Sequence, residues 1–98
     1  MKSRLSPFVN KRRKTIEFHI SIGCASHITL VGSFNHWAKD EIPLRPGKND
    51  VWKVEIPMLP EGRYQYKFFI DDRMAMEDIE NPNREPDGVT GWNSVLTV

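Results

Sequence analysis

The chain has a single cysteine, Cys24, so it holds no internal disulfide framework. The run Cys24-Ala25-Ser26-His27 falls short of the four ligands of a structural zinc site, and His19, His27 and His36 are not spaced as a metal set. They read as surface residues, and no cofactor is expected. No apolar run reaches membrane-spanning length, and no apolar segment follows the basic residues of Met1–Lys14 as a secretory signal would require. A cytoplasmic protein with no membrane partner is the default expectation. Helical periodicity is nearly absent, as are internal repeats and low-complexity tracts.

Acidic residues are missing from the first fourteen positions, which hold Lys2, Arg4, Lys11, Arg12, Arg13 and Lys14. The rest of the chain carries eight basic against thirteen acidic residues, so the net charge of +1 conceals an acidic body. A nucleic-acid-binding face should itself be basic, so this balance argues against nucleic acid. Residues 1–13 read as a basic, flexible arm, and 14–98 as one folded domain of modest core.

What is present is period two. Ile16, Phe18, Ile20 and Ile22 alternate with polar residues over Thr15–Ile22, and Ile28–Val31 forms a shorter second strand. Trp52, Val54, Ile56 and Met58 alternate over Val51–Met58, which assigns Trp52 to the core. In Arg63–Ile70, Tyr64, Tyr66, Phe68 and Ile70 share one face; Arg63, Gln65, Lys67 and Phe69 share the other. Arg73–Met76 begins a return strand after the Asp71-Asp72 turn, Glu77–Gly91 is an irregular surface loop, and Asn93–Val98 is the last strand. Five to seven short strands without helix indicate an all-β fold, a small antiparallel β-sandwich.

One aromatic stands apart from this pattern. Trp37 sits among Asn35, His36, Lys39 and Asp40, where a core residue is not expected. An indole ringed by hydrogen-bonding groups suits a sugar, with its apolar C–H face and rim of hydroxyls.

The succession Leu30-Val31-Gly32-Ser33-Phe34-Asn35-His36-Trp37, then Leu59-Pro60-Glu61-Gly62-Arg63-Tyr64-Gln65-Tyr66-Lys67-Phe68-Phe69-Ile70-Asp71, Asn81-Pro82 and Asn93-Ser94-Val95 resembles the family-48 carbohydrate-binding modules. These include the glycogen-binding domain of AMP-activated kinase β subunits and the N-terminal domain of isoamylases, pullulanases and branching enzymes. The similarity covers residues 14–98 and implies an early-set immunoglobulin-like sandwich. It implies that Trp37 stacks on a glucose ring of an α-glucan while Lys67 and Asn93 hydrogen-bond its hydroxyls. The second stacking tryptophan of glycogen-binding members is absent: its place falls at or near Met74. Met74, or Trp92 beside Asn93, stands as the substitute second wall, and His36 as a further contact.

Each of these residues has a plainer alternative. Trp37 can cap a sandwich edge, Lys67 can be a solvated strand residue, and Asn93 can cap local backbone. Trp92 stays open between site and structural plug. The carboxylates Asp71, Asp72, Glu77, Asp78 and Glu80 read as a solvated acidic edge rather than a glycosidase pair, and Ser33 and Ser94 have no visible base. The expected function is non-catalytic binding of glycogen, starch or maltooligosaccharide. The alternative is a protein-interaction module that keeps the fold and partners a glycogen-metabolising enzyme.

Overall fold

Period-two alternation becomes two antiparallel sheets in a computed structural model that describes residues 6–89 and 91–98. Lys2 and Arg4 of the basic segment lie outside the described residues. In chain order the strands are β1 (Phe8–Asn10), β2 (Thr15–Ser21), β3 (Ile28–Gly32), β4 (Arg45–Pro46), β5 (Val51–Pro57), β6 (Arg63–Ile70), β7 (Met74–Met76), β8 (Arg84–Pro86) and β9 (Trp92–Thr97). One sheet has the order β1-β2-β5-β4; the other has β3-β6-β9-β8, with β7 also paired to β6. The sandwich is the fold expected from the alternation.

The core is the apposed faces of the two sheets. Ile16, Phe18 and Ile20 of β2 and Trp52 and Ile56 of β5 meet Leu30 of β3 and Tyr66, Phe68 and Ile70 of β6. Phe18 packs edge-on against Tyr66 with ring centroids 4.9 Å apart, a geometry that contributes about 1 kcal/mol beyond the area buried. Trp52 takes the core position that its phase with Val54 and Ile56 assigned to it.

Four expectations are corrected. Residues 8–10 are not a free arm: Phe8 pairs with Glu17, Val9 with Ile16 and Asn10 with Thr15. Three residues are too few to show an alternation, which is why β1 escapes a pattern reading. Glu77–Gly91 is not simply a surface loop either. It contains β8, and Asp78 and Asn81 within it are buried.

Asp78 is also the correction to the solvated acidic edge. Its carboxylate accepts from Ser6 Oγ at 2.5 Å and from Tyr66 Oη at 2.8 Å, and its amide donates to Ser94 Oγ at 2.7 Å. Asn81 Nδ2 donates to Tyr66 Oη at 3.0 Å and to the Val95 carbonyl at 2.9 Å. Burial pushes the Asp78 carboxyl up from its ordinary value, against the downward pull of its hydrogen-bond donors. The same burial raises the Tyr66 phenol. His19 is corrected too: it is buried, with Nε2 3.1 Å from Glu80 Oε1. A polar knot thus replaces apolar packing behind β6, and it ties the 78–83 segment to β6 and β9.

Candidate functional site

Lys67 stands where β6 changes partners. On one side of β6 the strand pairs with β9 through Tyr66↔Ser94, and with β7 from Phe68↔Met76 onward. The polar knot fills the inner side of this handover. On the outer side it leaves an open depression of about 480 Å³. Its floor is Val31 of β3 with Gln65, Lys67 and Phe69 of β6; Ala75 and Asn93 flank it from β7 and β9. Trp37 and Lys39 close it on one side, and Asp87 and Val89 of the β8–β9 loop on the other.

Trp37 is held by an unusual turn. Ser33–Asn35 form one 3-10 turn, after which His36 (φ 56°) and Trp37 (φ 59°) both occupy the left-handed region. Each such non-glycine residue is disfavoured by roughly 1 kcal/mol, so something must hold it there. Buried Asn35 does so: its Oδ1 accepts from the Gly32 amide at 3.0 Å, and its Nδ2 donates to the Ala38 carbonyl at 3.3 Å. The Trp37 amide returns to the Gly32 carbonyl at 2.9 Å. Asn35 therefore supports the turn from inside. The Trp37 side chain is left 38% exposed.

A chain of side chains fixes the polar floor. Arg63 pairs with Glu85 at 2.7 Å, Gln65 Nε2 donates to Glu85 Oε1, and Asn93 Nδ2 donates to Gln65 Oε1 at 2.6 Å. That bond uses one amide hydrogen of Asn93. Lys67 Nζ donates to Asp87 Oδ2 at 2.9 Å. The other oxygen of Asp87 accepts the amides of Val89 at 2.8 Å and Gly91 at 3.1 Å. These bonds, led by that from Lys67, lower the Asp87 carboxyl to about 2. Lys39 Nζ lies 4.9 Å from the centroid of the Phe69 ring, a cation–π contact.

Of the six residues singled out from the sequence, Trp37, Lys67 and Asn93 come together in this depression; Trp92, Met74 and His36 do not line it. Register explains the exclusions. Met74 pairs with Ile70, whose side chain is buried on the inner face, whereas Ala75 pairs with Phe69 on the outer one. Trp92 alternates with Asn93 and instead stacks under the Arg84 guanidinium at 4.3 Å from the ring centroid. His36 is exposed at the end of its turn. The lining residues Gln65 and Phe69 share the Lys67 face by alternation, a signal present in the sequence. Asp87 and Val89 lie in a loop with no periodicity to mark them.

None of the five carboxylates of the 71–80 tract lines the depression. Asp71 accepts the amides of Ser26 and His27 at 2.7 and 2.8 Å, and Glu77 pairs with Arg84 at 3.1 Å. Among the described residues no group of three or more His, Cys, Asp or Glu side chains could hold a metal ion, and no helix is long and apolar enough to cross a membrane.

A family model described as the glycogen recognition site of AMP-activated protein kinase matches residues 15–98. The 5′-AMP-activated protein kinase subunit beta-1 of Rattus norvegicus is 41% identical over 58 residues, which cover 59% of this chain and 20% of that protein. Subunit beta-2 of Homo sapiens is 43% identical over 53 residues, or 54% and 18% of the two chains. The chain thus spans about one fifth of the length of the curated relatives it matches.

Proposed function

The chain belongs to the family of the glycogen recognition site of AMP-activated protein kinase, and from that membership we propose that it is a non-catalytic module that binds α-glucan in the depression over Lys67. The observation that supports this most directly is the convergence of Trp37, Lys67 and Asn93, from three separate segments, on one concavity. Trp37 supplies an apolar platform, and Lys67 and Asn93 supply hydrogen-bonding groups at its edge.

Binding is expected to be weak, because the depression is open and Trp37 is the one indole that lines it among the described residues. Glycogen co-sedimentation and calorimetry with maltoheptaose test the proposal. Wild type should bind, and Trp37→Ala should lose at least about fivefold in affinity. Equal retention of both proteins, or of neither, would contradict it.

A second reading has its own observation. Trp92 is 40% exposed and lies off the depression, stacked with Arg84. An exposed indole with a guanidinium beside it is the composition of a protein-contact hot spot. A glycogen-metabolising enzyme is the partner this reading proposes, and Trp92→Ala should then weaken a pull-down without altering glucan retention.

A further inference from the structure

Asp87 is the one carboxylate that lines the depression among the described residues, and it is bonded on every side. One oxygen takes the Lys67 ammonium; the other takes two loop amides, so the carboxylate cannot rotate away from the lysine. Two glycines make this possible. Gly88 adopts φ +86°, which L side chains resist, and a Cβ at Gly91 would stand 3.1 Å from Asp87 Oδ2. The side chains of Lys67 and Asp87 are only 18% and 16% exposed, so the pair is screened less than a surface ion pair.

We infer that Asp87 sets the ligand class of the depression: its carboxylate fixes the 87–91 loop as a wall and cancels the charge of Lys67, so the site takes neutral glucan and rejects glycans bearing phosphate or carboxylate groups. This inference rests on the glucan-binding reading above. An unpaired lysine on a sugar site attracts anionic glycan as readily as it donates to hydroxyls. Paired, Lys67 retains two N–H donors for hydroxyls but little net charge. A phosphate approaching Lys67 would meet the Asp87 carboxylate within a few ångströms, at a separation where repulsion is strong. With a carboxyl lowered to about 2, Asp87 stays ionised throughout the physiological range. The other cation of the lining, Lys39, lies over Phe69 at the exposed rim and keeps its charge, so the discrimination acts at the Lys67 position rather than over the whole depression.

The test is an NMR titration followed at the Trp37 indole N–H, which reports the depression rather than the basic β1–β2 turn. Maltoheptaose and maltoheptaose carrying a 6-phosphate are compared. Wild type should prefer the neutral sugar by about tenfold. Asp87→Asn keeps an oxygen for the Val89 and Gly91 amides but removes the charge. It should narrow the preference at least fivefold, by tighter binding of the phosphorylated sugar. Asp87→Ala should also speed hydrogen exchange at Val89 and Gly91 and weaken neutral binding. An unchanged preference in Asp87→Asn, with maltoheptaose still bound, overturns the inference alone, as does undiminished amide protection in Asp87→Ala. Failure of wild type to bind maltoheptaose overturns the glucan reading and this inference with it.

Discussion

Trp37 owes its position to a residue that never faces the depression. Asn35 closes the turn that carries His36 and Trp37 through the left-handed region, and it does so with buried hydrogen bonds. Asn35→Ala leaves the Gly32 amide without that partner and should destabilise the fold by about 1–3 kcal/mol in urea unfolding. It should also weaken glucan retention. Behind the sheet, Tyr66→Phe deprives Asp78 of a hydroxyl donor and should destabilise by about 1–3 kcal/mol as well. The two notable carboxylates act in opposite pH windows. Asp78 is raised in the folded state, so its contribution is full below 3.8 and is lost as pH rises through its higher folded value. Asp87 is lowered from 3.8 to about 2, so its contribution is present above 3.8 and is lost as pH falls through about 2. Asp78→Asn should flatten the decline in Tm on the alkaline side of 3.8 and leave the acid limb, which Asp87 shapes, in place.

At the scale of elements, the handover along β6 creates the site. A single continuous neighbour would leave a flat sheet face; the change from β9 to β7 opposite Lys67 leaves a concavity that the polar knot supports from behind. Register then decides which residue can supply a second aromatic wall. Ala75, paired with Phe69, lines the depression and Met74 does not. Ala75→Trp should therefore tighten maltoheptaose binding by about fivefold in calorimetry, while Met74→Trp should leave it within about twofold of wild type. Alternation in Arg63–Ile70 made the Lys67 face legible in the sequence, with Gln65 and Phe69 on it. The Met74 expectation came from position in a motif, which does not report the pleat on which a strand leaves its turn. Short strands β1, β4 and β8, of two or three residues, carry too little pattern to be read at all.

At the scale of the whole molecule, the depression and the basic Lys11–Lys14 turn belong to different sheets. The depression lies on the outer face of the β3-β6-β9-β8 sheet, and Lys11–Lys14 form the turn between β1 and β2 of the other. Neutralising Lys11 and Arg12, both exposed, should leave glucan affinity unchanged and stability within about 0.5 kcal/mol of wild type. The sandwich was legible because buried apolar side chains repeat every second residue in β2, β5 and β6. The buried knot of Ser6, Asp78, Asn81 and Ser94 was not, since polar residues in a Pro- and Asn-rich stretch look the same whether solvated or mutually satisfied. The central claim is that Trp37, Lys67 and Asn93 act as one α-glucan site. Chemical-shift mapping with maltoheptaose on wild type and Trp37→Ala tests it most directly. The account predicts perturbations clustered at Trp37, Lys67, Ala75, Val89 and Asn93 in wild type, small ones at Trp92 and Met74, and a titration weakened in Trp37→Ala. Perturbations centred on Trp92, or a titration indifferent to the loss of Trp37, would contradict it.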